Sequence, residues 1–447
     1  MALSSLPSQS HLKRLSGPPS ASHLSTFRSF GLNLKTFGRY NLHTKHSNIS
    51  KFLRVKMGYT ESTLQKDANS SISLPPLPEQ RIVVGCGTVA TDYLATVAAF
   101  PKPDEKIRST NLQVQGGGNV GNALTGAARL GLCPRIISKV ANDAPGRGIL
   151  AELEADGVNT SYIVALKMQV SETGNSPFTY VIVDEQTKTR TCIHSPGSPP
   201  MIPEDLSAES LSSVLTGARI VYFDGRLPDI AHIVAKEASE RQLPIFVDAE
   251  RLREGLDELL NVATYVVCSA NFPQAWTEAP SIASALVAIA LKLPHLKFVI
   301  VTLGEEGCIM LEKNMQVNPL PTGSRDGENI DVNIMLESLQ KKGKEISSIL
   351  PISVSSEVGS LKAPGIGSVA GRLLIGTAEA IPPADLVDTT GAGDGFIGAV
   401  LYAIAAGMPP ENMLPFAARV AAAGCRALGA RSGLPHRSDL RLTPYLV

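Results

Sequence analysis

The chain has 447 residues, enough for one large or two average domains with a buried core. Lys plus Arg and Asp plus Glu are equal at 41 each, so the chain lacks the basic excess of a general nucleic-acid or acidic-membrane binder. The six cysteines are widely spaced without a CxxC pair, and no apolar run is long enough for a transmembrane helix. We therefore expect a reduced globular protein with no nucleic-acid or membrane partner.

Residues 1–56 differ in composition from the rest of the chain. They contain no Asp or Glu, carry scattered Lys and Arg, and are rich in Ser and Thr. This composition predicts a chloroplast transit peptide, and the alternative is a disordered basic tail. Translation starting at Met57 would instead give a cytosolic form. Residues 57–80, with three prolines near their end, are predicted to be a linker.

From Arg81 onward, short β-rich apolar runs alternate with helical periodicity. Such alternation predicts βαβ units, hence an α/β fold with a mostly parallel central sheet and helices on both faces. The predicted strands are Arg81–Gly85, Arg135–Val140, Ile220–Phe223, Ile245–Val247, Tyr265–Cys268 and Phe298–Leu303. The predicted helices are Asn122–Leu130, Ile149–Asp156, Asp229–Arg241, Ser281–Leu293 and Phe396–Ala406.

Two kinds of segment interrupt that rhythm. Lys106–Gln115 and Phe178–Ile193 alternate polar and apolar residues, as half-exposed strands do, and predict a small separate sheet from about 104–116 and 178–194. Residues 314–384 form a long polar stretch with one amphipathic piece, Asn333–Leu350. Because compact domains rarely contain so long a connection, we expect a surface insertion there.

Three glycine-rich motifs follow predicted strands. Asp92 lies just beyond the first strand, where ligands bind in open α/β sheets. Gly118, Asn119 and Asn122 combine close backbone approach with amide donors and acceptors for hydroxyl groups. The stretch Thr302–Gly307 ends another strand in a glycine turn. Each motif alone is better explained by turn and cap residues.

The sequence Asp388-Thr-Thr-Gly-Ala-Gly-Asp394 precedes a helical stretch. Small residues at a helix start leave unpaired N–H groups accessible to a phosphate, and Asp394 lies next to them. An anion-binding nest beside a carboxylate suits phosphoryl transfer to an alcohol. The alternative is a loop whose aspartate caps the helix.

Taken together, these motifs resemble the ribokinase-like (PfkB) family of carbohydrate kinases, and within it ketohexokinase-like members of plant plastid type. The resemblance covers residues 81–437. It implies a ribokinase-like three-layer α/β/α fold, in which the two alternating segments form a β-sheet lid over the substrate. In many members this lid also pairs two subunits, so a homodimer is expected.

The resemblance also implies site residues. Asp394 would be the general base, with Gly391, Ala392 and Gly393 as the anion hole. The substrate would be bound by Asp92, Gly118, Asn119 and Asn122, and the nucleotide by Arg190, Thr302, Gly304 and Gly307. Asp388 and Thr390 match a site for a monovalent cation such as K⁺.

The implied activity is ATP-dependent phosphorylation, with Mg²⁺, of a hydroxyl on a small sugar (ketohexose or ribose-like) or a nucleoside. The alternative is a catalytically silent kinase-like scaffold in the plastid. One departure concerns Mg²⁺: many members have Asn-x-x-Glu where this chain has Asn271 and Gln274, and glutamine lacks the negative charge. A Rossmann oxidoreductase is disfavoured because Ala90 replaces the third glycine of that fingerprint.

Overall fold

A computed structural model describes residues 74–163, 174–314, 330–346 and 348–446. The predicted transit peptide and residues 57–73 of the predicted linker lie outside the described residues. The remainder of that linker is packed on the domain: Leu74 contacts the apolar core, and the Pro75 carbonyl accepts a hydrogen bond from Nη2 of Arg437. The packed domain therefore begins before Arg81.

The strands of the described residues are β1 (Ile82–Cys86), β2 (Ala90–Val97), β3 (Asn111–Gly117), β4 (Cys133–Ile137), β5 (Phe178–Asp184), β6 (Arg190–Ser195), β7 (Ile220–Phe223), β8 (Ile245–Ala249), β9 (Tyr265–Ser269), β10 (Phe298–Thr302), β11 (Cys308–Lys313), β12 (Ile330–Asp331), β13 (Ser353–Ser355), β14 (Gly359–Ala363) and β15 (Gly367–Gly376). The helices are α1 (Asn119–Arg129), α2 (Ala144–Ala155), α3 (Ala208–Leu215), α4 (Pro228–Glu240), α5 (Leu256–Asn261), α6 (Phe272–Thr277), α7 (Ile282–Lys292), α8 (Val332–Glu345), α9 (Ala392–Ala405) and α10 (Pro410–Gly424). Within these ranges, no helix is long and apolar enough to cross a membrane.

The large sheet has the strand order β12-β14-β15-β11-β10-β9-β8-β7-β1-β4, with β13 paired to β15. The run from β4 to β10 is parallel, and β11 and β15 are antiparallel to their neighbours. All six strands predicted for this sheet are present, with ends that differ by a few residues. The mostly parallel α/β prediction is confirmed.

Successive side chains of the central strands enter two different cores, because strand residues point alternately to opposite faces. Val84 and Phe223 pack in one core, together with α3, α4 and α7. Val83 and Tyr222 pack in the other, together with α1, α9 and α10. Helices therefore cover both faces of the sheet, giving three α/β/α layers.

The smaller sheet has the order β3-β2-β5-β6, and we call it the lid sheet. It contains both predicted segments, but Phe178–Ile193 is a hairpin of two strands and only part of Lys106–Gln115 is extended. One of its two inner strands, β2, was not predicted from the sequence. The small residues Ala and Thr on both faces of β2 leave no clear apolar alternation to recognise.

The prediction that residues 314–384 lie at the surface is wrong for their second half. Strand β15 pairs with β11 inside the large sheet, and its Leu373 and Leu374 are fully buried. Helix α8 begins one residue before the predicted amphipathic piece and ends at Glu345. The glycines of this segment suggested a loop, but in the structure they let neighbouring strands approach closely. A Cβ on Gly371 would lie 2.3 Å from the carbonyl oxygen of Glu312. Residues 315–329 lie outside the described ranges.

Candidate active site

The start of α9 separates two cavities. Gly391 precedes the helix with a φ of +71°, and a Cβ there would lie 2.4 Å from that of Ala430, so the position requires glycine. Gly391 and Asp394 line a cavity of about 600 Å³ beneath the lid sheet, which we call the lid cavity. Ala392 and Gly393 line a second cavity of about 620 Å³ against α10, which we call the α10 cavity. The backbone of the predicted anion hole thus forms a wall between them.

The lid cavity brings together the residues predicted to bind a substrate. Beside Asp394, its lining includes Asp92, Gly118, Asn119 and Asn122. These residues come from β2, from the start of α1 and from the start of α9, all near the carboxyl end of β1. The cavity can therefore hold a polar molecule in contact with both the amides and Asp394.

The α10 cavity brings together three of the four residues predicted to bind a nucleotide. Thr302 ends β10, and Gly304 and Gly307 flank the turn into β11. Much of the remaining lining consists of small or apolar residues, among them Ala378, Ala380, Ile381, Ala418, Ala421 and Ala422. Apolar walls with few polar groups suit a flat aromatic ring such as a nucleobase.

Arg190, the fourth of these residues, lies on the other side of the wall. It lines the lid cavity, and its Nη1 donates a 2.8 Å hydrogen bond to Oγ1 of Thr389, which lines the α10 cavity. Arg190 is therefore not part of the lining of the α10 cavity. Its charge lies near the anion hole, where the two cavities meet.

The Asp394 carboxyl is half-buried at the base of the lid cavity. Removal from water raises the pKa of this group from its usual 3.8 to about 7, against the opposing effects of a hydrogen bond from Asn122 and the charge of Arg226. Oδ2 accepts that hydrogen bond, at 2.8 Å from Nδ2 of Asn122. A carboxyl with a pKa near neutrality is suited to take and release a proton.

Asn122 is held in turn by a buried arginine, Arg431, which no sequence motif indicates. Nε of Arg431 donates to Oδ1 of Asn122 at 2.9 Å, and its Nη2 donates to the carbonyl oxygen of Gly117 at 2.8 Å. Behind them, Glu152 lies 3.8 Å from Nη1 of Arg431. With one donor and one acceptor already used, Asn122 orients Asp394 and retains one N–H for a ligand.

Asp92 faces the same cavity from the lid sheet. It lies in a row across the four strands with Gln115, Thr179 and His194. Burial raises the pKa of Asp92 to about 6, although its hydrogen bond with Thr179 acts in the opposite direction. A Cβ on Gly117 would lie 2.2 Å from this carboxylate, so that glycine permits the close approach of the lid.

Asp388 anchors the loop before α9. Its carboxylate accepts hydrogen bonds from the backbone N–H and the hydroxyl of Thr390, at 2.9 and 2.7 Å, and from the N–H of Gly429 at 2.8 Å. A carboxylate has about four acceptor positions, so these donors leave room for one more contact. Asp388 can therefore contribute a single oxygen contact to a monovalent cation.

The residues at the predicted Mg²⁺ motif are exposed, and Nε2 of Gln274 donates to the Pro280 carbonyl oxygen at 3.3 Å. Across the described ranges, no group of three or more His, Cys, Asp or Glu side chains is arranged to hold a metal ion. These residues do not form a Mg²⁺ site by themselves. A divalent ion fits here only if a bound phosphate chain supplies oxygen ligands.

Comparison with known proteins gives a consistent result. The model of a family described as "pfkB family carbohydrate kinase" matches residues 81–325 and 376–437. The chain is 23% identical to a ribokinase from Mus musculus over 375 residues, covering 82% of this chain and 96% of that protein. It is 24% identical to a ketohexokinase from Mus musculus over 365 residues, covering 80% of this chain and 97% of that protein.

Among solved structures, the chain is similar to Arabidopsis thaliana ribokinase complexed with ribose and ATP. The TM-score is 0.57 at 21% identity, covering 83% of this chain and 99% of that one. This similarity confirms the expected ribokinase-like fold. The family match omits residues 326–375, which include β12 to β14 and most of β15.

The raised pKa of Asp394 makes stability depend on pH in a defined direction. Between the unfolded value of 3.8 and the folded value of about 7, the folded state binds the extra proton, so the free energy of unfolding falls as pH rises. Asp394→Asn cannot ionise. Its stability advantage over the wild type should therefore grow by roughly 2.6 kcal/mol between pH 5 and pH 8.

Urea titrations of ligand-free protein at several pH values measure this difference. Asp104→Asn is the matched control, because Asp104 is exposed. Parallel stability curves for Asp394→Asn and the wild type would show that the Asp394 carboxyl is hydrated.

Proposed function

Because the chain belongs to the pfkB family of carbohydrate kinases, and is thus a phosphotransferase with an alcohol group as acceptor, we propose that it transfers the γ-phosphoryl group of ATP to a hydroxyl of a small sugar, ketohexose or ribose-like. The observation that carries the proposal is Asp394 at the wall between the two cavities. An acceptor in the lid cavity then contacts the base, while ATP in the α10 cavity presents its phosphates to the same helix start. A nucleoside acceptor would be phosphorylated on a hydroxyl by the same reaction.

The acceptor hydroxyl attacks the γ-phosphorus, and its proton passes to Asp394. Hydrogen bonding from Asn122 fixes the carboxylate, and the raised pKa near 7 gives it affinity for that proton at neutral pH. Asp92 and Asn119 supply further polar contacts to hydroxyls within the same cavity. Holding both reactants in this geometry lowers the entropic part of the barrier.

The start of α9 stabilises the negative charge that develops on the transferring phosphoryl group. The N–H groups of Ala392 and Gly393 belong to the first turn of this helix, where the backbone attracts anions. Arg190 adds a positive charge near Thr389. Mg²⁺ bound to the ATP phosphates would supply further neutralisation, and Asp388 would offer one oxygen to a K⁺ ion.

Replacing the base tests this assignment. Asp394→Asn keeps the shape of the side chain but cannot accept the proton, so kcat should fall on the order of 10²–10⁴-fold. Phosphate transfer is measured by ADP release across a panel of sugars and nucleosides, using protein that begins at Met57. Asp104→Asn, an exposed carboxylate outside both cavity linings, is the control.

Unchanged turnover in Asp394→Asn would exclude this residue as the base. A wild-type protein that transfers phosphate to no acceptor, while forming a stable complex with another protein, would favour the scaffold alternative. The intact Gly391–Asp394 segment at the wall between two cavities argues for the enzyme.

We also propose that two subunits pair through the outer face of the lid sheet. Val114, Tyr93, Tyr180 and Ile193 lie side by side across its four strands. Three of them are more than half exposed: Val114, Tyr180 and Ile193 at 53%, 52% and 55%. A contiguous apolar face of this kind is suited to a second copy of the same surface.

A charge in the centre of that face should prevent pairing. We expect wild-type protein to sediment as a dimer, and Tyr180→Glu to sediment as a monomer with an unchanged circular dichroism spectrum. Leu440→Glu, at a 78% exposed leucine outside the lid sheet, is the control. A monomeric wild type would contradict the proposal.

The proposal for residues 1–56 is a chloroplast transit peptide, supported by their acid-free, Ser-rich and basic composition. Fusion of residues 1–80 to a fluorescent protein should direct fluorescence to chloroplasts in leaf cells. The matched fusion of residues 57–80 should remain in the cytosol. Diffuse fluorescence from the longer fusion would exclude the transit peptide.

A further inference from the structure

The lid cavity is lined by more cations than anions. Its charged lining consists of Lys139, Arg190, Arg226, Arg251 and Arg253 against Asp92, Glu250 and Asp394. Neutral sugars are bound through hydrogen bonds and need no such excess. Lys139 is neutralised by Asp205, whose Oδ2 lies 2.6 Å from its Nζ, so the excess rests on the arginines.

Three of these arginines form one cluster at the ends of β7 and β8. Nη2 of Arg226 and Nη2 of Arg253 both contact Oε2 of Glu250, at 3.1 and 2.8 Å. A second carboxylate, Asp224, lies 3.5 Å from Nη1 of Arg226. Arg251 lies beside this pair of arginines. Three guanidinium groups therefore share two carboxylates, Asp224 and Glu250.

The cluster retains unused hydrogen-bond donors. Arg251 is exposed, and no residue in the described ranges forms a hydrogen bond or ion pair with its side chain. Nε of Arg253 is buried without an acceptor. Buried polar groups are normally hydrogen-bonded. An unpaired guanidinium N–H beside the cavity is therefore available to a ligand that accepts a hydrogen bond.

The cluster faces the acceptor and not the nucleotide. Arg226, Arg251 and Arg253 all line the lid cavity, whereas none of them is among the residues that line the α10 cavity. Arg190 contacts Thr389 at the wall between the cavities, and the charge of Arg226 acts on Asp394 there. The lining places Arg251 and Arg253 on the acceptor side of that wall.

His194, on the lid sheet, experiences the positive charge of the same arginines. Burial, together with the charges of Arg226, Arg253 and Arg251, lowers the pKa of His194. At neutral pH His194 is thus uncharged and faces the cluster across the cavity. An anionic ligand would be attracted by the arginines and repelled by Asp92 of the lid sheet, so its charged group is expected at the arginine end of the cavity.

We propose that the acceptor is an anionic sugar, whose phosphate or carboxylate group is bound by Arg251, Arg253 and Arg226. This inference rests on the proposed kinase function. Arginine suits the role because its planar donors match the oxygens of both groups. The reaction is unchanged: a hydroxyl oxygen bonds to the γ-phosphorus, the bond to the β–γ bridging oxygen breaks with its electron pair to ADP, and the proton passes to Asp394.

Pairs of acceptors that differ in one anionic group provide the test. Fructose 6-phosphate and 2-ketogluconate are compared with fructose, and ribose 5-phosphate with ribose, as acceptors for the protein beginning at Met57. We expect kcat/KM to be at least about ten-fold higher for an anionic member than for its neutral counterpart. The phosphate and carboxylate arms identify which oxyanion is preferred. Equal or better use of the neutral sugars would overturn the inference.

Arg251→Gln tests the cluster directly, since this exposed side chain has no partner to lose. It should raise KM for the preferred anionic acceptor about ten-fold and leave KM for ATP unchanged. The control is Arg81→Gln, at the opposite end of β1 from the cavity. A rise in KM for ATP alone would assign the cluster to the nucleotide and overturn the inference.

Calorimetric binding without ATP separates this inference from the proposed function. Binding of an anionic sugar that weakens in Arg251→Gln and in high salt supports the anion site even if no phosphate transfer occurs. Binding of neither member of any pair would overturn it, whereas transfer to neutral sugars alone would leave the kinase function standing.

Discussion

The hydrogen bond between Asn122 and Asp394 joins residues 272 positions apart, and the geometry of the site depends on it. It links the start of α1 to the start of α9, the two helices that flank the carboxyl end of β1. Arg431, from the C-terminal segment, holds the other end of the Asn122 amide and the backbone of Gly117. Three distant parts of the chain therefore determine the direction in which one carboxylate points.

Burying these polar groups has a cost that the site does not fully offset. Asp394 and Asp92 both have pKa values raised by burial, to about 7 and about 6, so their ionised forms weaken the folded state. Arg431 is buried, and its ion pair within the described ranges is a long one, 3.8 Å from Nη1 to Oε2 of Glu152. Elsewhere the two apolar cores on either face of the sheet stabilise the domain. The apolar cores thus support a polar site whose two carboxyl groups have raised pKa values.

Much of the fold followed from local patterns. Parallel strands are buried on both faces and appear as short apolar runs, which identified the strands from β1 to β10 in the large sheet. Strand β2 and strand β15 escaped detection for different reasons. Small residues on both faces obscure the alternation of β2, and glycines required for close packing give β15 the appearance of a loop.

The candidate site was predictable where its residues are contiguous. Gly118, Asn119 and Asn122 form one motif, and Gly391 to Asp394 form another. Arg431 carried no such signal, because its role depends on contacts with residues more than 300 positions away. The arginines at the ends of β7 and β8 were equally obscure, since single arginines on a sequence are most often surface residues.

The sequence by itself determined the α/β class, the motifs and their order along the chain, because apolar periodicity and glycine-rich turns are local properties. Only the tertiary structure decided which charges share a cavity. It placed Arg190 at the wall beside Thr389, set Asn122 to orient Asp394, and gathered the arginines opposite His194. Distances between side chains from different strands depend on sheet order and register. These are fixed by long-range packing, and so is the electrostatic character of the site.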